Sequence, residues 1–229
     1  TDMEFVLDDG TRIRAHRAWM IARSPYLRPM LSDRAWEEGR TGIVRVRECD
    51  ESTFSELLEF LYTATWQPDR PEEVLDLAEM FLVKDEMVHG GYGPRGKVME
   101  EAGRIMLDHA LEGGELTDME FLLLNSGKTF RAHKCWVFAS CGKKVEGMIS
   151  SGVRGGSTDT VVVTERSDGA FIAFLEFLYL GRLGTTCLGQ DWVELWELAE
   201  EFGVVGMQDR LLDAVHWNVQ GGNVEQAAR

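Results

Sequence analysis

The chain has 229 residues, of which 44% are hydrophobic and 28% are charged, and its formal net charge is −15. This length accommodates one large domain or two domains of about 100 residues each, and the apolar fraction is that of a globular protein. No apolar run reaches the roughly 18 residues that a membrane-spanning helix needs, and such an acidic chain gains no attraction from a phosphate backbone. We therefore expect no membrane association and no direct nucleic-acid interface.

The N-terminal part of the chain predicts a small sheet followed by two short helices. Met3 to Leu7 has the alternation of a strand, Asp8-Asp9-Gly10 is typical of a hairpin turn, and Arg12 to Ala15 continues as the return strand. A helix follows from about Arg17 to Ala22, and a second short helix begins after the break at Ser24-Pro25.

The pattern then predicts a third strand and two amphipathic helices. Val44 and Val46 alternate with arginines, which is the period of a strand. Apolar side chains three and four residues apart predict the helices, and they are Phe54, Leu57, Leu58 and Leu61 in the first and Val74, Leu77, Ala78 and Phe81 in the second. Asp50 or Ser52 can cap the first of these helices. Because the strands come first and the helices last, the pattern predicts an α+β unit.

Three blocks of sequence recur about 117 residues further along the chain. They are Asp-Met-Glu-Phe at 2–5 and 118–121, Arg-Ala-His at 14–16 and 131–133, and Leu-Glu-Phe-Leu-Tyr at 58–62 and 175–179. The same order of predicted strands and helices accompanies both copies. A period of this length is too long for a solenoid and predicts the duplication of a whole domain.

The ordered set of motifs resembles the BTB/POZ family. It consists of Asp-Met-x-Phe before the hairpin, Arg-Ala-His after it, Ala-Arg-Ser-Pro-Tyr at 22–26 with Met30-Leu31, Phe-Leu-Tyr-Thr at 60–63 and Leu-Ala-Glu at 77–79. The resemblance implies an α+β fold of two consecutive BTB/POZ-like domains. Each domain is expected to have a small sheet of three or more strands flanked by a cluster of helices.

The resemblance and the composition divide the chain at a glycine-rich stretch. We expect a first BTB/POZ domain at 1–96, a connecting helix at 97–116, a second BTB/POZ domain at 117–217 and the start of a BACK-like helical extension at 218–229. Four glycines between His89 and Gly96 are typical of a flexible joint. The helix that follows either completes the first domain or precedes the first strand of the second.

A glycine motif and a repeated histidine are the features that could indicate chemistry. Gly91 to Gly96 has the spacing of a dinucleotide fingerprint, but no strand precedes it and no βαβ pattern surrounds it, so we interpret it as a linker. His16 and His133 have no nucleophile or acid at the spacing of a catalytic triad, and we interpret them as structural. We expect no enzymatic activity, no cofactor and no metal site.

The segment Trp36-Glu37-Glu38 is the leading candidate for a partner contact. Many BTB/POZ adaptors that recruit the cullin-3 scaffold of ubiquitin ligases carry a hydrophobic-x-Glu motif in the loop after a Met-hydrophobic pair. Trp36-x-Glu38 resembles that motif, one residue further than usual from Met30-Leu31, and Tyr62 lies at a position that also faces cullin in such adaptors. An apolar side chain would fill a pocket on the partner, and the carboxylate would pair with a basic group at its rim.

The two copies differ at this segment and in their charge. The corresponding loop of the second copy reads Val153-Arg154-Gly155 and has no glutamate. Residues 1–116 hold 24 acidic and 14 basic side chains, whereas residues 117–229 hold 15 and 10. We therefore expect the first copy to contact cullin, with its acidity complementing a basic partner surface.

These features predict a protein–protein interaction module. The leading hypothesis is a substrate adaptor of a cullin-3 RING ubiquitin ligase, and the alternative is a BTB scaffold or self-association module, for example in transcription regulation, that does not bind cullin. The BTB domains are expected to associate with protein partners and with each other, within one chain or between chains. None of the four cysteines belongs to a C-x-x-C pair, which favours reduced thiols and a location in the cytoplasm, the nucleus or both.

Overall fold

The computed structural model of the chain describes residues 1–65, 71–84, 96–112, 114, 116–151, 159–184, 192–204 and 206–220. The chain divides into two compact units, Thr1–Met106 and Leu107–Arg229. Each unit combines a small three-stranded sheet with helices, which confirms the predicted α+β class. In the ranges given above, no helix is both long and apolar enough to cross a bilayer.

The first unit is built on a three-stranded sheet. Its strands are β1 (Met3–Val6), β2 (Arg12–Ala15) and β3 (Ile43–Arg45). Its described helices include α1 (Arg17–Arg23), α2 (Leu27–Ser32), α3 (Glu37–Thr41), α4 (Glu51–Thr63) and α5 (Pro71–Met80). Strand β1 lies in the centre, antiparallel to β2 and parallel to β3, so that Phe5 stands opposite Ile13 and Val44.

The second unit repeats this topology. Its strands are β4 (Met119–Leu123), β5 (Thr129–Ala132) and β6 (Asp159–Val163). Its described helices include α7 (Lys134–Cys141), α8 (Lys143–Ser151), α9 (Asp168–Leu180), α10 (Trp192–Phe202) and α11 (Met207–Gln220). Strand β4 is central, antiparallel to β5 and parallel to β6, and Phe121 stands opposite Phe130 and Val161.

One further helix, α6 (Gly96–Leu111), contains the division between the two units. It occupies the stretch in which the sequence predicts the connecting helix. Because the division falls between Met106 and Leu107, it assigns the helix neither to the first domain alone nor to the second.

Phenylalanines from the central strand and the helices form the core of each unit. The ring centroid of Phe5 lies 4.7 Å from that of Phe54, and Phe121 lies 5.1 Å from Phe171 in the second unit. All four side chains are fully buried. A buried aromatic ring removes about 150–250 Å² from water, so these rings contribute a large part of the hydrophobic stabilisation of each unit.

The repeated motifs include residues that begin helices. The carboxylate of Asp2 accepts a 2.8 Å hydrogen bond from the N–H of Arg17 at the start of α1, and Asp118 accepts a 2.7 Å bond from Lys134 at the start of α7. These bonds satisfy N–H groups that have no partner inside the helix. Asp50 caps α4 through the N–H of Thr53 at 3.0 Å, so it is the cap among the two predicted candidates.

The main local departure from the sequence-based expectation is α3. The sequence placed Trp36-Glu37-Glu38 in a loop, whereas Glu37 and Glu38 form the first turn of a short helix. The helix ends at Gly42, whose φ of 69° places it in the left-handed region that favours glycine. Several predicted features lie wholly or largely outside the described residues, namely residues 89–95 of the joint at 89–96, the loop at 153–155, Cys187 and residues 221–229 of the extension at 218–229.

Candidate interaction site

Trp36 stands at the start of α3 on the surface of the first unit. Its backbone is extended, with φ −80° and ψ 147°, and its N–H donates to the carbonyl of Asp33 at 3.2 Å. Half of its side chain, 50%, is exposed. Glu37 and Glu38 follow in the first turn, where unpaired N–H groups of the helix favour carboxylates. An exposed aromatic ring and two carboxylates therefore share one turn of chain.

Hydrogen bonds from the Arg40 side chain and a close approach at Gly39 hold the segment before this turn in one conformation. Nη1 of Arg40 donates to the carbonyl of Arg34 at 3.1 Å and to that of Ala35 at 2.9 Å. A Cβ atom on Gly39 would lie 2.1 Å from the carbonyl oxygen of Asp33, so the close approach of the two chain segments requires glycine. The turn that carries Trp36 is thus fixed before any partner arrives.

The other end of α3 is fixed against the sheet. Nη1 of Arg17 donates to the carbonyl of Gly39 at 2.8 Å, and the carbonyl of Gly42 accepts a 2.8 Å bond from the N–H of Glu4 in β1. A Cβ atom on Gly42 would lie 2.9 Å from the carbonyl oxygen of Asp2. The C-terminal end of the short helix is therefore attached to α1 and β1.

A groove with a volume of about 410 Å³ lies beside α3. Met30, Glu37 and Glu38 line it, together with the edge of β3 and with Met80 at the end of α5. The structure thus brings three of the candidate residues to one concave surface. Trp36 and Tyr62 are not among the residues that line it.

The predicted pair Met30-Leu31 divides between the surface and the core. Met30 is partly exposed in the groove, whereas Leu31 retains only 1% of its side-chain exposure. A partner cannot touch a side chain that is buried to this extent. The assignment of Leu31 as a contact residue is therefore corrected: Leu31 packs in the core beneath the candidate surface.

Tyr62 is half-buried and takes part in an internal hydrogen bond. Its hydroxyl accepts a 2.9 Å bond from the N–H of His16 and also lies 2.9 Å from Nδ1 of that histidine. Its ring stacks on Trp19 with a centroid distance of 5.5 Å. Tyr62 therefore joins α4 to the start of α1, and only part of its ring reaches the surface.

The contact residues predicted from the sequence do not include two arginines that line the groove. Arg45 and Arg47 are exposed and line the groove, while the intervening Val46 is buried. The alternation of valine and arginine that predicted a strand also contained this signal. The alternation shows which side chains lie on the outer face of the strand. It does not show that the strand lies at an edge of the sheet.

Two of the described cysteines have a raised pKa. Burial raises the pKa of the Cys141 thiol to about 12 and, with the nearby Asp50 carboxylate, that of Cys49 to about 11. Because the thiolate is the nucleophilic form, these cysteines are unreactive at neutral pH. Across the described ranges, no group of three or more histidine, cysteine or acidic side chains could hold a metal ion.

Comparisons with known proteins identify the duplicated unit. The BTB/POZ domain family model matches residues 1–89 and again residues 107–218. BTB/POZ domain-containing protein At2g30600 of Arabidopsis thaliana is 30% identical over 95 residues, which are 40% of this chain. That match spans only 12% of the length of the Arabidopsis protein.

Two solved structures are similar to parts of the chain. The BTB domain of human gigaxonin shares 21% identity with a TM-score of 0.32, over 38% of this chain and 71% of that one. The BTB domain of zebrafish PATZ1 shares 18% identity with a TM-score of 0.39, over 51% of this chain and 90% of that one.

The two family matches together cover most of the chain, and each contains one copy of the repeated sequence blocks. Each match includes one three-stranded sheet with its helices. BTB/POZ domains are protein-interaction modules that mediate partner binding and self-association. The chain belongs to the BTB/POZ family and carries two BTB/POZ domains in tandem.

Proposed function

We propose that this chain is a substrate adaptor of a cullin-3 RING ubiquitin ligase and that its first BTB/POZ domain contacts cullin-3. The observation that carries the proposal is Trp36, which is half-exposed at the start of α3 and is followed directly by two glutamates. Large aromatic side chains of this kind are the usual anchors of protein interfaces.

Burial of Trp36 would contribute substantially to the stability of a complex. Covering the exposed half of an aromatic side chain removes about 100 Å² from water, which is worth about 2–3 kcal/mol at the usual coefficient. Because Arg40 and Gly39 already hold the preceding segment, binding requires little ordering of the backbone. The cost of ordering the backbone is thus small, and it subtracts little from the gain on burying the ring.

Charge supports the same surface. Glu37 is exposed and Glu38 partly exposed, and both line the groove beside Met30. Residues 1–116 also hold 24 acidic side chains against 14 basic ones. A partner with basic groups around an apolar pocket would be attracted to this domain and oriented on it. The exposed edge of Tyr62 belongs to the same proposal, while Leu31 supports the surface from below.

A pull-down with the N-terminal region of cullin-3 tests the proposal. The unaltered chain is expected to bind, and Trp36→Ala combined with Glu38→Lys is expected to abolish binding. The matched control is Trp192→Ala with Asp213→Lys, which removes an exposed tryptophan and reverses an exposed carboxylate in the second domain. This control is expected to bind as the unaltered chain does.

Two results would contradict the proposal in different ways. Failure of the unaltered chain to bind would eliminate the cullin-3 assignment. Binding that survives in the double variant of the first domain would keep the assignment but remove Trp36 and Glu38 from the contact. Circular dichroism of each variant checks that the fold persists.

Self-association without cullin is the second candidate function. It is favoured by exposed apolar side chains on the last two helices of the second domain, and they are Trp192, Val193, Leu212 and Val215. Light scattering of the unaltered chain is expected to give a mass above that of one chain if these residues mediate association. Leu212→Glu with Val215→Glu would then return the mass to that of a monomer, because a buried unpaired carboxylate opposes association.

We also propose that the protein acts in the cytoplasm, the nucleus or both. The described cysteines Cys49, Cys135 and Cys141 are free thiols, which supports a reducing compartment. Fluorescence microscopy of the tagged full-length protein checks this location, and a secretory or extracellular signal would contradict it.

A further inference from the structure

We propose that the first BTB/POZ domain binds an extended peptide segment of a partner protein along the open edge of β3, and that apolar and acidic residues alternate in this segment. The site is the groove beside α3, at the end of the sheet. The proposal concerns a second binding mode and does not depend on cullin-3.

The backbone of β3 is available for pairing on one side. The sheet order is β2-β1-β3, so β3 has no second neighbouring strand among the described residues. The carbonyl of Gly42 and the N–H of Val46 bond to β1. Backbone N–H and C=O groups of successive residues point to opposite sides of a strand. The N–H and C=O of Arg45 and the N–H of Arg47 therefore point away from β1. A peptide strand can add to this edge, as edges of this kind do in strand-addition complexes.

The groove along the edge has an apolar side. Val44, Val46 and Phe81 are buried at its base, and Met30 and Met80 stand at its walls. Methionine side chains adapt to irregular partners, and Met80 is 43% exposed in the absence of one. Every second side chain of an added strand would point into this space, which requires those residues to be apolar.

The opposite face of the edge is basic. Arg45 and Arg47 are exposed and form no ion pair with any described residue, although the domain has an excess of acidic side chains. The remaining side chains of an added strand would lie beside these two arginines. Cross-strand pairs of opposite charge stabilise a sheet, whereas like charges oppose pairing. The two arginines therefore select acidic residues at these positions, whereas the positions that point into the groove beside Glu37 and Glu38 exclude them.

The second domain offers an internal comparison. Its edge strand β6 has Val162 and Thr164 at the positions of Arg45 and Arg47. Val162 is exposed, so the outer face there is neutral. The proposed selectivity for acidic segments is thus a property of the first domain only.

The direct test uses a fluorescently labelled heptapeptide in which glutamate and valine alternate, acetylated and amidated at its ends. Fluorescence anisotropy of the complete chain is expected to show binding, and the matched lysine–valine peptide is expected not to bind. N-methylation of alternate residues distinguishes strand pairing from other modes. Methylating the residues whose N–H groups face β3 should abolish binding, and methylating the other set should not.

Variants of the chain locate the peptide. Arg45→Val with Arg47→Thr, which introduces the residues of the second domain, is expected to weaken binding about tenfold. Arg12→Val with Arg14→Val is the matched control, because it removes the same charge from β2 at the opposite edge of the sheet. This control should bind normally, and so should Trp36→Ala, because Trp36 is not among the residues that line the groove.

Hydrogen exchange supplies an independent measurement. The amides of Arg45 and Arg47 are expected to exchange rapidly in the free chain and slowly with peptide present. Three results would overturn the proposal: no binding at about 1 mM peptide, equal binding of the acidic and basic peptides, or slow exchange of both amides in the free chain. Slow exchange that disappears on dilution would assign the edge to a second copy of this chain instead.

Discussion

The hydroxyl of Tyr62 accepts a 2.9 Å hydrogen bond from the backbone N–H of His16, and it joins residues that lie 46 positions apart. Tyr179 and His133 repeat the bond at 2.9 Å in the second domain. In both domains the tyrosine ring also stacks on a tryptophan of the helix that follows the histidine. The distances between the ring centroids are 5.5 Å and 5.7 Å. The duplicated histidines therefore connect the start of one helix to the end of another, which agrees with their interpretation as structural residues.

Removal of these hydroxyls is expected to destabilise the two domains unequally. Tyr179 is only 3% exposed, so Tyr179→Phe leaves a buried N–H without its partner and should cost about 1–3 kcal/mol. Tyr62 is half-buried, and water can replace its hydroxyl, so Tyr62→Phe should cost less. Hydrogen exchange followed by mass spectrometry measures each domain separately within the complete chain. Equal losses would contradict the explanation by burial.

Gly39→Ala is expected to destabilise the first domain and to displace α3. The added Cβ would lie 2.1 Å from the carbonyl oxygen of Asp33, and a backbone atom cannot move aside as a flexible side chain can. A loss of about 1–3 kcal/mol is typical of such overpacking. Gly147→Ala in α8 is the matched control, because no atom lies within 4 Å of its added Cβ.

Chemical denaturation measures the free energy of unfolding of both variants. Gly147→Ala should leave stability unchanged or raise it by up to about 1 kcal/mol, since alanine favours a helix over glycine. If Gly39→Ala were as harmless as its control, the close approach of α3 to Asp33 would not be a requirement of the fold.

The stability of the second domain is expected to fall at alkaline pH because of Cys141. Burial raises the pKa of its thiol from an ordinary value of 9.0 to about 12, so the folded state holds the proton more tightly than the unfolded state does. The contribution to stability is complete below pH 9 and is lost as the pH rises towards 12. The denaturation midpoint measured across this window should fall less steeply for Cys141→Ala. Identical slopes for the two proteins would contradict this assignment.

Arg40→Ala is expected to loosen the segment that precedes Trp36 without unfolding the domain. The variant removes hydrogen bonds of 3.1 Å and 2.9 Å to the carbonyls of Arg34 and Ala35, and both lie at the surface. Amide exchange in residues 33–36 should accelerate, while global stability should change by about 1 kcal/mol or less. Under the proposed function, cullin-3 should bind about fivefold more weakly, because the segment must be ordered on binding. Unchanged exchange would show that Arg40 does not hold the segment.

The strands and long helices could be predicted because their side chains repeat with the period of the element. The strand expected from Met3 to Leu7 is present as Met3–Val6, and the helix with Phe54 and Leu61 on one face spans Glu51–Thr63. Each pattern reflects local burial on one face, which requires no knowledge of the rest of the chain. The short helix α3 has only five residues, too few to establish a period, and was predicted as a loop.

The site residues were predictable to a lesser degree. Trp36 and Glu38 were predicted from the motif and are exposed and partly exposed, but Leu31 carries the same kind of apolar signal as Trp36 and lies in the core. Apolar composition alone does not distinguish a contact residue from a core residue, because both favour removal from water.

The sequence by itself determined the duplication, the α+β class and the family, because these depend on residue order and on periods that can be read along the chain. The tertiary structure decided which polar and apolar groups meet. Only folding brings Tyr62 to His16, places Leu31 in the core, and leaves Arg45 and Arg47 on an open edge beside α3. Such relationships join residues that are distant along the chain, and no local pattern specifies which of them will be neighbours.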